Sequence, residues 1–330
     1  VDGQGTVARD PDKTLYNANE EVQITAEPET GWSFNHWSGD YSGSDNPTTI
    51  IMNENKTIAA HFVIYLLDVD SGLTSPTGEY RWLDVANQQY SATYRTSYNY
   101  TQANVSVTYN TQGNKLIGTI QAINLKPNFA YQLKLVGTSG TQANENIGLA
   151  GRWWQEEWSG TAWTNGQNLN DKGDGSSPNP NDLVYFSRRD ITDATSPTGL
   201  HYKFTGYLCF DYFITDGQGN AVIPFETGSC YHVLWKTTQR TRTADDGPIE
   251  TTTFTADTSS PAYDVNYPEQ TVDIFGEWER LPMGNVHLSA GEYVVQLMLT
   301  EESFHGDGGQ YAGNWAAAMG ATIQFNNEGV

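Results

Sequence analysis

The chain has 330 residues, enough for about two domains, so it is neither a peptide-sized nor a disulfide-dependent scaffold. Lys plus Arg number 17 against 39 Asp plus Glu, a formal charge of −22, which makes nucleic acid and anionic lipid poor partners through like-charge repulsion. Hydrophobic residues are 37%, aromatic residues 12% and charged residues only 17%; with Thr, Tyr, Val and Gly plentiful and helix formers scarce, this composition predicts an ordered, all-β chain with many turns. No stretch approaches the roughly 18 apolar residues of a membrane span, and the chain does not open on the basic-then-apolar pattern of a secretory leader.

In chain order, the first predicted elements lie at Gly5–Val7, Glu21–Ala26, Trp32–Trp37, Thr48–Met52 and Lys56–Phe62. Each alternates or runs apolar for a strand's length, with Gly, Pro, Asn and Asp between. The segments Tyr16-Asn-Ala-Asn-Glu-Glu-Val-Gln-Ile-Thr-Ala-Glu-Pro28, Gly31-Trp-Ser-Phe-Asn-His-Trp-Ser-Gly-Asp40 and Met52-Asn-Glu-Asn-Lys-Thr-Ile-Ala-Ala-His-Phe62 stand in register with a known pattern. Residues 1–63 resemble the divergent internalin-B-type B-repeat, a small β-grasp-like module of bacterial and archaeal surface proteins. The resemblance implies a spacer or adhesion module without catalysis, with Trp32, Phe34, Trp37 and Phe62 as core aromatics.

From residue 64 to 330 the strands lengthen. Val105–Tyr109, Leu116–Ala122 and Tyr131–Val136 alternate with period two, and further strands are predicted at 202–215, 229–236, 271–275, 291–300 and 321–325. Asp216-Gly-Gln-Gly-Asn220 is a turn signal. The sequence predicts a larger immunoglobulin-like or jelly-roll-type β-sandwich with long insertions, and its most helix-like piece is Gly313–Met319.

Four tryptophans, Trp153, Trp154, Trp158 and Trp163, fall within eleven positions. Broad rigid rings on a loop stack on sugars or grip a partner protein; the alternative is that they cap an open end of the sandwich. The following stretch supplies oxygen ligands in a Gly-rich loop, so Asn170, Asp171, Asp174 and Asp182 are candidate Ca²⁺ ligands, although Lys172 interrupts an EF-hand pattern and the alternative is a solvated loop. Asp68-Val-Asp70 and Asp245-Asp246 are secondary candidates. Cys209 and Cys230 sit in apolar runs and suit either a disulfide across neighbouring strands or two unpaired buried thiols. Asn55, Asn99 and Asn104 head sequons that would accept glycans on a secreted protein.

The carboxylate pairs Glu156-Glu157, Glu277/Glu279 and Glu301-Glu302 raise a glycosidase, which needs two acids about 5–10 Å apart, but such pairs in an acidic β protein usually face solvent. The six histidines lack zinc-hydrolase spacing, and no GxSxG occurs. The expectation is therefore an extracellular structural or adhesive surface protein without catalysis, a subunit of a filament, sheath or surface layer growing head to tail. The alternatives are a calcium-dependent carbohydrate-binding protein and a polysaccharide-degrading enzyme.

Overall fold

The computed structural model describes residues 1–69, 79–164, 166–169, 180–228, 231–235, 249–257, 259–265, 270–278, 288–302 and 316–329. The N-terminal strands are β1 (Gly5–Asp10), β2 (Glu20–Pro28), β3 (Ser33–Gly39), β4 (Thr48–Met52) and β5 (Ile58–Asp68). Next come helix α1 (Ala92–Ser97) and strands β6 (Asn104–Tyr109), β7 (Gln112–Gly113), β8 (Ile117–Ile123) and β9 (Ala130–Val136). Helix α2 (Gln142–Ala150), β10 (Arg152–Glu157), β11 (Gln167–Asn168) and helix α3 (Pro180–Arg188) precede β12 (Tyr202–Ile214) and β13 (Ala221–Glu226). The chain closes with β14 (Tyr231–Trp235), β15 (Ile249–Ala256), β16 (Gln270–Trp278), β17 (Gly291–Glu301) and β18 (Ala316–Asn327).

In the N-terminal module, β1-β2-β4 form one antiparallel sheet and β3 pairs with β5. Alternation turns Val22, Ile24, Ala26, Trp37, Ile50, Ala60 and Phe62 inward as one buried cluster. The indole N–H of Trp37 donates to the Asp45 carbonyl at 3.0 Å, so the aromatic core is anchored at its polar edge.

The remainder is an all-β sandwich. One sheet runs β11-β10-β12-β9-β17-β18 and continues, through a two-residue pairing of β18 with β5, into a second layer β5-β6-β8-β13. Their facing side chains make one core: Val105, Val107 and Ile120 from the second sheet meet Leu133, Leu135, Leu208, Leu297 and Leu299 from the first. Asp216 closes the crossing from β12 to β13, its Oδ1 accepting from the backbone N–H of Gln218 and Asn220. Gly219 there has φ +79°, and a Cβ on it would meet the Leu125 carbonyl, so the turn requires glycine.

A third sheet, β14-β16-β15, lies over the outer face of the first sheet, where Ile274 meets Ala130, Tyr212 and Ile214. The reading of β9, whose period-two alternation implies one solvated face, changes as well. Gln132 and Lys134 on that face are buried along with Tyr131, Leu133 and Leu135. The helix-like piece at 313–319 is also corrected: from Ala316 the chain is strand β18, hydrogen-bonded to β17, and long-range pairing overrides the helix propensity of consecutive alanines.

The expected boundary between residues 63 and 64 falls inside β5. Its first half, Ile58–Val63, pairs with β3 of the module, while Ile64–Leu66 pair with β6 and Leu67–Asp68 with β18. Module and sandwich therefore share one uninterrupted strand with no linker.

Candidate functional site

Of the tryptophan cluster, Trp153 and Trp154 lie on opposite faces of β10, and Trp158 and Trp163 follow the strand. Trp153 is fully buried, stacked on Tyr185 of α3 at 3.8 Å with 11° between the rings, and its indole N–H donates to Asp182 Oδ1 at 3.1 Å. Helix α2 lies directly on this indole, since a Cβ at Gly148 would come within 2.3 Å of the ring. Trp153 is thus a packing residue, which corrects its expected role as a sugar platform. Trp158 is buried and its indole N–H donates to Thr195 Oγ1 at 2.9 Å, so it is no open platform either. Trp154, on the opposite face of β10, leans half-buried on the main core. Trp163 is half-buried, edge-on to Trp158 at 5.4 Å, with the Lys203 ammonium 5.2 Å over its ring. Only Trp154 and Trp163 of the four keep substantial exposure.

Of the expected calcium ligands, Asn170, Asp171 and Asp174 lie outside the described residues, as do Asp70 and Asp245-Asp246. Asp182 is buried under Trp153. No cluster of three or more His, Cys, Asp or Glu suited to a metal ion occurs among the described residues. Cys209 is buried in β12, and Cys230 lies outside the described residues. Sequon residues Asn55 and Asn104 are exposed, while Asn99 is half-buried.

The carboxylate pairs are engaged in different ways. Glu156 pairs with Lys203 at 2.5 Å, and Glu157 meets His201 Nε2 at 3.0 Å, with Asp193 on the other ring nitrogen at 3.2 Å. Those hydrogen bonds, Asp193 first and then Glu157, raise the His201 pKa above its ordinary value. The side chain of Glu277 and the whole of Glu279 are not described.

Glu301 and Glu302 overturn the expectation that such a pair faces solvent: both are buried. Glu301, at the end of β17, takes a bidentate pair from Arg81 (2.6 and 2.8 Å), a bond from Lys126 Nζ at 2.7 Å and one from the Tyr100 hydroxyl at 2.7 Å. Burial alone would raise its carboxyl pKa, but Lys126 and Arg81 outweigh that and hold it below the ordinary value. Lys126 is completely buried, its ammonium 4.6 Å over Trp82 and 4.7 Å over Phe129, and it also donates to the Arg81 carbonyl at 2.8 Å. Beside it, Lys134 lies 3.4 Å from Glu302, both side chains almost wholly buried. Sequence reasoning missed Arg81, Lys126 and Tyr100; Lys126 stands in the polar link Asn124-Leu-Lys-Pro-Asn128, which carries no signal of burial.

Asp84 closes a neighbouring loop. It accepts from the backbone N–H groups of Ala86 (2.9 Å) and Gln88 (2.8 Å) and from the Tyr263 hydroxyl. Burial dominates these bonds and pushes its pKa up to about 6 from the ordinary 3.8. The folded state holds the proton more tightly than the unfolded state, so this group favours folding below pH 4 and loses that contribution as pH rises through 6. Asp84→Asn keeps an acceptor for the loop and never ionises. Its stability relative to the parent is expected to rise by up to about 3 kcal/mol between pH 4 and pH 7, measured by urea unfolding at each pH. A difference independent of pH would show that Asp84 does not titrate in this window.

The N-terminal module carries the Gly-Trp…Trp-Ser-Gly-Asp segment on β3 and the closing strand β5, around the Trp37 and Phe62 core. Residues 1–64 match the family model of the divergent InlB B-repeat domain. No curated protein and no solved structure matches the chain. The B-repeat points to a surface-associated protein. Beyond the shared strand, Trp32 of the B-repeat stacks on Tyr109 of the sandwich at 4.9 Å, and Gln4 Nε2 donates to Thr111 Oγ1 at 3.1 Å. The B-repeat is therefore braced against the sandwich at two points besides β5. No helix among the described residues is long and apolar enough to cross a membrane.

Proposed function

We propose that the chain is an extracellular structural or adhesive component of a cell surface, a subunit of a filament, sheath or surface layer, without catalysis. The observation that carries this reading is the unbroken β5, which makes B-repeat and sandwich one stiff unit. A stiff two-part subunit transmits a head-to-tail contact along a fibre, and a heterologous contact of that kind does not close on itself. The charge of −22 opposes packing of like subunits, so divalent cations, Ca²⁺ first, bridge copies in this proposal.

Negative-stain electron microscopy of the purified chain at high concentration is expected to show filaments, tubes or sheets with calcium and their dissolution with chelator. Dispersed monomers under both conditions would overturn the assembly reading and turn attention to Trp154 and Trp163 as a glycan-contacting edge.

A further inference from the structure

One face of the B-repeat gathers four side chains with ligand chemistry. His36 on β3 and His61 on β5 are direct register partners, and their rings lie parallel, 4.3 Å apart with 4° between planes. Asp2 bridges onto the other side of β5, its N–H bonded to the Ala60 carbonyl and its own carbonyl accepting from Phe62. This places Asp2 Oδ2 at 3.1 Å from His61 Nδ1, while Ser38 Oγ meets His61 Nε2 at 2.6 Å. His36 is exposed, and neither of its ring nitrogens makes a hydrogen bond among the described residues.

We propose that His36 and His61 form a binding site for a divalent transition-metal ion of the zinc class, with Asp2 as the carboxylate that orients His61. A carboxylate on Nδ1–H fixes the tautomer and leaves the Nε2 lone pair for a metal, the arrangement common behind zinc-bound histidines. Imidazole favours Zn²⁺, Cu²⁺ and Ni²⁺ over Ca²⁺ and Mg²⁺, so the site is chemically distinct from any carboxylate-only calcium site. Direct cross-strand partners have Cβ atoms about 4.5–5.5 Å apart, within reach of one tetrahedral ion, and the parallel rings must turn so that their in-plane lone pairs converge on it. The metal takes the place of the Ser38 hydroxyl at Nε2, and two open positions remain for water or an outside ligand.

Ser38, His61 and Asp2 also stand in the hydrogen-bond order of a base-activated serine. The cross-strand imidazole of His36 favours the metal reading, because it has no part in nucleophile activation and stands opposite His61 as a second nitrogen donor.

The test is calorimetric titration of the tag-free, chelator-stripped full chain with zinc chloride at pH 7.5, in excess calcium to fill carboxylate sites. One saturable zinc site is expected, weakened by more than tenfold in His36→Ala and in His61→Ala and by about tenfold in Asp2→Asn. His201→Ala, which alters a carboxylate-held histidine elsewhere, is expected to leave it unchanged. Matching thermal melts would show that His36→Ala, at an exposed position, keeps the fold. Zinc binding that survives both His36→Ala and His61→Ala, or that vanishes in His201→Ala, would overturn the proposal.

Discussion

Glu301→Ala is expected to lower the unfolding free energy by about 3–5 kcal/mol, read from urea denaturation at pH 7. The carboxylate faces Lys126, whose side chain is fully buried, and Arg81, whose side chain is only 18% exposed. Water cannot replace what Glu301 supplies to Lys126, so the variant leaves positive charge in a wall of Trp82, Phe129 and Tyr100 rings. Removing all three charges together with Arg81→Met, Lys126→Leu and Glu301→Leu is expected to restore most of the loss, because the penalty comes from the uncompensated charge. A triple variant as unstable as Glu301→Ala would instead mean that the cluster's hydrogen-bonded shape is itself required. The pH dependence has the opposite sign to that of Asp84. The Glu301 carboxyl is lowered by folding, so its contribution is full above the ordinary value of 4.5 and is lost as pH falls through the folded value.

Trp153→Ala is expected to cost about 3–5 kcal/mol, whereas Trp163→Ala costs about 1 kcal/mol or less. The first deletes an indole enclosed by Tyr185, Phe204 and helix α2 and leaves the Asp182 carboxylate without that N–H. The second removes a half-buried ring held by one edge contact and one cation. Equal losses in the two variants, measured by the same denaturation, would show that Trp153 does not pack as described. The contrast also assigns roles within the cluster, since a residue that carries several kcal/mol of packing is not free to turn towards a sugar.

The B-repeat was legible because its signals are local. Strand alternation, the Asn- and Gly-rich turns and the Gly-Trp…Trp-Ser-Gly-Asp segment all lie within 64 residues, and each strand pairs with one a short distance away in the chain. The all-β class was legible for the same reason: composition and period two act residue by residue. Even so, His36, His61 and Asp2 gave no sign of meeting, because 25 residues separate the two histidines and 59 separate Asp2 from His61.

What composition and alternation determined, then, is which segments become strands and that the first 64 residues make a B-repeat. Which faces of those strands are buried was decided only by tertiary structure. Gln132, Lys134 and Glu302 look solvated along the chain, yet all three are buried, Gln132 donating to the Asp211 carbonyl and Lys134 facing Glu302. Glu301 looks like one of 39 ordinary acids, and it is tolerated in the core only because Arg81 and Lys126 arrive from 220 and 175 residues away. The physical reason is that alternation assigns side chains to two faces, whereas burial and charge compensation depend on which distant segment covers each face.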